Sequence, residues 1–251
     1  MSEAASPALD VAALADQMQH DPAAALATLE TTAQRGDPQA QFLLGQARME
    51  GRGIAPDAAA AVLWFERAAN GGLAIAMNML GRCHELGSGT PVNLALAAVW
   101  YRQAADAELD WGLYNLANLL GTGRGVARDE RAAFALYLRA ARLGHAKSMN
   151  LVGRCLEDGV GVAADPAAAP AWYRRSAEAG DFRGQASLAS VLLAAGDVEG
   201  AAGWLKRALA QGSPSFLAHL RPTLAASPHP AIRAVAAQVP NMTLHVVEGR
   251  G

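Results

Sequence analysis

The sequence of 251 residues is poor in charge, in aromatic side chains and in cysteine. Charged residues make up 18% of it and aromatic residues 6%, and there are two cysteines. Two cysteines cannot build a disulfide framework. The formal net charge of −2 provides no field that would attract nucleic acid or anionic lipid. We therefore expect neither a nucleic-acid partner nor a membrane partner.

Long apolar runs are missing as well. No segment approaches the roughly 18 uninterrupted apolar residues of a membrane-spanning helix, and no basic segment followed by an apolar one suggests a secretory signal. These features favour a cytoplasmic protein. Alanine, in contrast, makes up nearly a quarter of the chain, which favours closely packed helices over a β-sandwich or barrel. The predicted class is all-α.

A period of 36 residues runs through the sequence. A large apolar residue followed by a small one recurs at that spacing, as Leu44-Gly45, Leu80-Gly81, Leu116-Ala117, Val152-Gly153 and Leu188-Ala189. Glycine pairs and an Asp or Asn follow with the same period, and an aromatic pair follows in three units, with Leu136-Tyr137 at the same position in a fourth. Internal repeats of this length are typical of solenoid proteins.

Each repeat is predicted to form two helices. Residues 74–86 carry apolar residues at three- and four-residue steps, and the glycines at 87 and 89 are suited to end that helix. Asn93, whose counterparts are all Asp, is a preferred N-cap for the second helix. Neither helix buries its apolar face alone, so neighbouring pairs must stack.

The predicted architecture is a single right-handed α-solenoid of stacked antiparallel helix pairs over residues 1–239. Residues 1–36 form N-terminal capping helices, residues 37–212 five repeats, and residues 213–239 a C-terminal cap whose helix breaks at Pro222. Residues 240–251 form a tail, which either frays or docks as an extended segment.

The repeat pattern resembles the Sel1-like repeat, a relative of the tetratricopeptide repeat. The residues that carry the resemblance in the first full unit are Ala40, Leu44, Gly45, Gly51, Gly53, Ile54, Asp57, Trp64, Phe65, Ala68, Ala69 and Gly71. The resemblance implies an α-solenoid and an adaptor that binds other proteins, often through the inner groove of the superhelix.

By analogy with the tetratricopeptide relative, the groove is lined by positions beside the Leu-Gly pair. Together with an aromatic at a site where other repeats have none, these positions give eight peptide-binding candidates: Asn78, Arg82, Trp111, Tyr114, Asn115, Asn118, Asn150 and Arg154. An asparagine side chain can donate a hydrogen bond to a peptide carbonyl and accept one from a peptide N–H. An arginine binds a carboxylate through two parallel hydrogen bonds, and an exposed tryptophan is a typical anchor for a partner side chain.

Each candidate also has a purely structural interpretation. The arginines can form i,i+3 ion pairs with Glu85 and Glu157, the aromatics can fill a packing gap beside Gly112, and the asparagines can brace neighbouring helices. A second functional hypothesis is a structural scaffold that self-associates through its caps or tail into a homo-oligomer.

Catalytic and metal-binding patterns are weak throughout. The glycine run at 121–125 superficially resembles a phosphate-binding loop. The same glycines recur in every unit between the two helices, so we do not expect a nucleotide site. The six histidines show no metal-ligand spacing. Cys83 and Cys155 share a small apolar repeat position and are expected to be inert. A hydrolase, suggested by a cysteine-rich branch of similar proteins, is disfavoured. We expect no enzyme activity, no cofactor and no metal.

Overall fold

The structure, a computed structural model, describes residues 11–238. That part of the chain contains fourteen α-helices and no β-strand. The helices are α1 (Val11–His20), α2 (Pro22–Gln34), α3 (Pro38–Glu50), α4 (Ala58–Asn70), α5 (Ala74–Leu86), α6 (Leu94–Asp106), α7 (Asp110–Thr122), α8 (Glu130–Arg142), α9 (Ala146–Asp158), α10 (Ala169–Glu178), α11 (Phe182–Ala194), α12 (Val198–Gln211), α13 (Pro214–Ala225) and α14 (Pro230–Ala237). The predicted tail lies outside the described residues.

The chain divides into two compact units, with the boundary between Leu136 and Tyr137 in α8. In the first unit, α1 packs on α2, α3 on α4 and α5 on α6, and each pair contacts the next helix along the chain. In the second unit, α9 packs on α10, α11 on α12 and α13 on α14. This consecutive pairing confirms the all-α class with stacked helix pairs. The single domain stays a prediction.

The second helix of most repeats begins at the predicted N-cap. The side chains of Asp21, Asp57, Asn93 and Asp129 accept a hydrogen bond from the backbone N–H three residues on, at 2.9–3.0 Å. Asp165 makes the same bond at 3.1 Å, but α10 begins only at Ala169. Pro170 has no N–H to donate, which delays the regular helix.

A glycine facing an aromatic ring locks the two helices of a repeat together. A Cβ added to Gly81 would lie 2.4 Å from the ring of Tyr101, and one added to Gly153 would lie 2.5 Å from the ring of Tyr173. These rings are 0% and 2% exposed. The small residue in the Leu-Gly pair is therefore explained by the room that the buried ring of the second helix needs.

The tryptophan that precedes this ring lies in a different environment. The sequence suggests that burial explains the repeat tryptophans, but Trp64, Trp100, Trp172 and Trp204 are only half-buried. Arginine guanidinium groups lie 4.4 Å from the Trp64 ring centroid, 4.3 Å from that of Trp172 and 4.6 Å from that of Trp204. Cation–π contacts thus cover a ring face that the core does not fill.

The prediction that Pro222 breaks the C-terminal helix is wrong. Helix α13 runs from Pro214 to Ala225 with Pro222 inside it. Proline removes the N–H that would donate to the carbonyl of Ala218. Ala218 is exposed, so water can bond that carbonyl and the helix continues.

Candidate functional site

The eight predicted site residues lie on first helices of the repeats. Six of them are on α5 and α7 in the first unit, namely Asn78, Arg82, Trp111, Tyr114, Asn115 and Asn118. The other two, Asn150 and Arg154, are on α9 in the second unit. The structure brings together members of each group within its own unit.

Two of the asparagines brace successive first helices. The Nδ2 of Asn115 on α7 donates to the Oδ1 of Asn78 on α5 at 2.8 Å. In the second unit the Oγ of Ser187 on α11 donates to the Oδ1 of Asn150 on α9 at 2.9 Å. Asn78 is 7% exposed and Asn150 is 3% exposed. Their position agrees with the bracing role that the sequence offers as an alternative to ligand binding.

The two arginines are exposed and lack the expected intrahelical partners. Among the described residues, Arg82 forms no ion pair with Glu85 and Arg154 forms none with Glu157. Glu85 instead accepts from the Tyr101 hydroxyl at 2.8 Å and from Arg124 at 3.1 Å. The neutralised-pair interpretation is therefore not what the structure contains.

Tyrosine hydroxyl groups occupy the glutamates in both units. The Tyr173 hydroxyl donates to Glu157 at 2.5 Å, as Tyr101 does to Glu85. Burial raises the pKa of both tyrosines, and the hydrogen bond to the carboxylate raises it further. Both hydroxyls therefore stay protonated and keep donating over the physiological pH range.

Trp111 and Tyr114 form an aromatic pair at the start of α7. Their ring centroids are 6.0 Å apart and the rings are nearly perpendicular, at 87°. Trp111 is 42% exposed. A Cβ added to Gly112 would lie 2.6 Å from Ala104, so helix packing is already tight there. The side of Gly112 that faces Ala104 therefore has no room for a larger side chain.

Asn118 lies one turn further along α7 and is half-buried. Its backbone carbonyl accepts from the Thr122 hydroxyl at 2.6 Å. Together with Asn115, which is also half-buried, it places a second amide side chain on this helix. The exposed indole and the half-buried amides thus belong to one short helix.

The second unit contains a cavity that the sequence did not predict. It measures about 610 Å³ and is lined by residues of α9, α11, α12, α13 and α14, including Asn150 and Arg154. The lining residues that sequence reasoning missed include Arg183, Ser187, Ser190 and Thr223. Arg183 occupies the repeat position of Trp111, which differs in every repeat, and this variability was the available signal.

The described residues include no cluster of metal-ligating side chains and one strongly buried thiol. No group of three or more His, Cys, Asp or Glu side chains capable of holding a metal ion occurs between residues 11 and 238. Cys83 is 2% exposed, and burial raises the pKa of its thiol to about 11. A thiol in that state is a poor nucleophile at neutral pH. Cys155 is half-buried and forms no disulfide.

Consecutive helix pairs, glycine–aromatic locks and a 36-residue period define a helical repeat protein of the solenoid class. A family model described as Sel1 repeat matches residues 38–73, 74–109, 112–145 and 146–181. These matches cover more than half of the chain, which therefore belongs to the Sel1 repeat family. The fifth predicted repeat, built from α11 and α12, lies outside the matched ranges.

Solved structures with the same fold are similar to this chain. A Sel1 repeat protein from Oxalobacter formigenes is 27% identical, with a TM-score of 0.73, and the match covers 86% of this chain and 90% of that one. A protective antigen of uropathogenic Escherichia coli with an SLR fold is 29% identical, with a TM-score of 0.71. That match covers 84% of this chain and 46% of the antigen, so the chain spans about half of the antigen's length.

A more distant likeness concerns the fold alone. An immunity protein from Pseudomonas aeruginosa is 18% identical, with a TM-score of 0.56, over 78% of this chain and 73% of that one. A comparison with curated proteins found no significant match. Sel1 repeats are generally non-enzymatic scaffolds for protein interactions. None of the helices between residues 11 and 238 has the length and apolar character needed to cross a bilayer.

Proposed function

We propose that this chain is a non-catalytic cytoplasmic adaptor that binds an extended segment of another protein along the first helices of its repeats. Membership of the Sel1 repeat family supports a protein partner, because such repeats are generally interaction scaffolds. The side chains on α5 and α7 support a site in the first unit, and those on α9 belong to the second unit by itself.

The observation that carries the proposal is the pair of exposed arginines at equivalent positions two repeats apart. Arg82 and Arg154 have no ion-pair partner within the described part of the chain, and the adjacent glutamates accept hydrogen bonds from tyrosine hydroxyls. A repeat framework needs no charge at an exposed site. An arginine guanidinium, however, binds a carboxylate through two parallel hydrogen bonds. Acidic side chains or a chain terminus of the partner are the expected counterparts.

The other residues divide into anchors and braces. Trp111, held edge-on against Tyr114, is the expected anchor for a partner side chain, since exposed aromatics carry much of the energy of interfaces. Asn115 and Asn118 are the proposed amide contacts for a main chain, and Asn115 uses one of its N–H donors to bind Asn78. Asn78 and Asn150 position neighbouring helices through their hydrogen bonds.

The experiment is affinity purification from the native cell with mass spectrometry. The bait is either the unmodified chain or a Trp111→Ala, Asn118→Ala double variant whose helical content is verified by circular dichroism. Leu63→Ala is a matched control, because Leu63 is a similarly exposed apolar residue, at 58%, on a second helix. We expect the partner to be lost with the double variant and retained with the control. Equal recovery of the partner with the unmodified chain and with the double variant would refute the assignment of the binding site.

Light scattering of the purified chain tests the alternative of a self-associating scaffold. The adaptor hypothesis predicts a mass near the 26.0 kDa of one chain. A larger mass that falls to this value when residues 240–251 are removed would favour assembly through the tail. A larger mass that persists after truncation would favour assembly through the caps.

A further inference from the structure

The cavity in the second unit has the size and the walls of a ligand site. Its volume of about 610 Å³ falls within the range of roughly 300–1,000 Å³ typical of pockets that bind small ligands. Five helices contribute to its lining. The cavity is partly open to solvent, so a ligand can enter it from the surface.

The largest buried residues that line the cavity are apolar, and the charged residues that line it are exposed arginines. Leu205, Leu224 and Ile232 are buried, at 2%, 5% and 0% exposure. Arg154 and Arg183 are exposed. Among the described residues, no acidic side chain lines the cavity and neither arginine forms an ion pair. The cavity therefore complements a ligand with an apolar body and a negatively charged end.

Ring contacts position Arg183, one of the two arginines of the lining. The Arg183 guanidinium lies 4.6 Å from the centroid of the Phe182 ring, and that ring lies 4.7 Å from the ring of Phe216 on α13. Phe216 itself lines the cavity. The arginine, α11 and α13 are thus joined by ring contacts, so the site is formed before a ligand enters, which limits the entropy lost on binding.

Polar groups in the lining match a peptide main chain. The Asn150 Oδ1 accepts from the Ser187 hydroxyl at 2.9 Å, so the amide of Asn150 offers its N–H donors. The Ser190 hydroxyl donates to the carbonyl of Ala186 at 3.2 Å. Each serine oxygen keeps lone pairs that accept from a peptide N–H. An aliphatic acid has no N–H group for these oxygens.

We propose that this cavity receives the C-terminal residue of a polypeptide, with an apolar side chain on Leu205, Leu224 and Ile232 and the α-carboxylate on Arg154 and Arg183. The inference rests on the proposed function in one respect, namely that the partner is an extended polypeptide. It adds that the partner's last residue is apolar and that its carboxylate is free.

The test uses defined probes and fluorescence anisotropy. The first probe is the N-terminally fluorescein-labelled heptapeptide Gly-Ser-Gly-Ser-Gly-Ser-Leu with a free carboxylate. The second is the same peptide with a C-terminal amide, and the third is the free acid ending in Asp instead of Leu. We expect saturable binding of the first probe and at least about tenfold weaker binding of the other two, since charge-assisted hydrogen bonds and apolar burial each contribute about that factor.

Matched variants locate the binding. Arg183→Gln is expected to weaken binding about tenfold, while Arg174→Gln, an exposed arginine on α10 outside the lining, leaves it unchanged. Thr223→Trp places a large side chain in the cavity and is expected to abolish binding. Ala218→Trp is the control on the same helix, because Ala218 is exposed and does not line the cavity.

Three outcomes would overturn the proposal: no binding of the free acid, equal binding of acid and amide, or insensitivity to Thr223→Trp. Decanoate provides a further arm. If decanoate binds in a manner that Thr223→Trp blocks while the peptide acid does not bind, the cavity is an aliphatic-acid site. Failure of the cavity proposal is distinguishable from failure of the adaptor hypothesis. The adaptor hypothesis is tested independently, by loss of the partner with the Trp111→Ala, Asn118→Ala variant.

Discussion

The two glycines that follow α5 are predicted to differ sharply in their tolerance of alanine. Gly87 and Gly89 have nearly the same backbone conformation, with φ of 75° and 74°. A Cβ on Gly87 would meet the Cγ2 of Val92 at 3.0 Å, and Val92 is an exposed side chain that can rotate away. A Cβ on Gly89 would lie 2.1 Å from the backbone oxygen of Ala58. That atom belongs to the first residue of α4 and cannot move alone.

The magnitudes follow from these contacts. Alanine in the left-handed region costs about 1–2 kcal/mol, and its lower entropy in the unfolded chain returns about 0.4–1 kcal/mol. Gly87→Ala is therefore expected to lower the free energy of unfolding by about 1 kcal/mol. Gly89→Ala carries the same strain and must also displace the α5–α6 loop from α4. Overpacking typically adds about 1–3 kcal/mol, which gives a total of about 3 kcal/mol.

Urea unfolding followed by circular dichroism measures both variants against the unmodified chain. Two further variants extend the comparison to other repeats. A Cβ on Gly125 would lie 2.5 Å from the backbone carbon of Leu94, whereas one on Gly53 would meet side chains alone, Leu26 at 3.1 Å and Pro22 at 3.7 Å. Gly125→Ala should resemble Gly89→Ala, and Gly53→Ala should resemble Gly87→Ala. Equal losses at all four positions would show that conformation alone, and not the close approach of helices, requires these glycines.

Three further predictions concern single sites in the first unit. Glu108 is the non-glycine residue with positive φ, 55°, in the described part of the chain, and its counterpart Gly72 has φ of 87°. Glu108→Gly should raise the free energy of unfolding by about 0.5 kcal/mol, because relief of strain exceeds the entropy cost of glycine; an unchanged urea midpoint would contradict this. The Cys83 thiol, with a pKa of about 11, should react with iodoacetamide at pH 8 at least about 100-fold more slowly than in the unfolded chain, measured in a Cys155→Ala background. The pKa of the Cys83 thiol in the folded chain lies above the ordinary value of 9.0. The neutral buried thiol therefore contributes to stability below pH 9, and this contribution is lost as the pH rises towards 11. The urea midpoint should fall over that interval. A double-mutant cycle of Asn78→Ala and Asn115→Ala should give a coupling of about 1 kcal/mol, and strict additivity would refute their hydrogen bond.

The sequence predicted the repeat framework because each repeat position meets the same physical demand several times. A helix N-terminus needs an acceptor, so Asp or Asn recurs at 21, 57, 93, 129 and 165. A first helix that packs against a buried ring needs a small residue, so Gly recurs opposite Phe65, Tyr101 and Tyr173. Repetition turns a weak preference at one site into a clear pattern across the chain.

Features that occur once were harder to predict. Pro222 is a helix breaker by local rules, yet α13 continues because the unbonded carbonyl of Ala218 is at the surface. The cavity of the second unit depends on α13 and α14, which follow no repeat. Its cationic side requires Arg183 to stack on Phe182, a contact that periodicity does not encode.

The asparagines illustrate why variable positions were ambiguous in sequence. Asn78 contacts Asn115, which lies one repeat and one residue further along. The same pair of positions one repeat earlier holds Phe42 and Met79, which belong to one apolar cluster. The position therefore joins successive first helices, with either apolar or polar contacts. Asn78 is explained by its contact with Asn115, whereas the exposed Arg82 has no such helix-bracing bond among the described residues and stays the stronger candidate for a ligand contact.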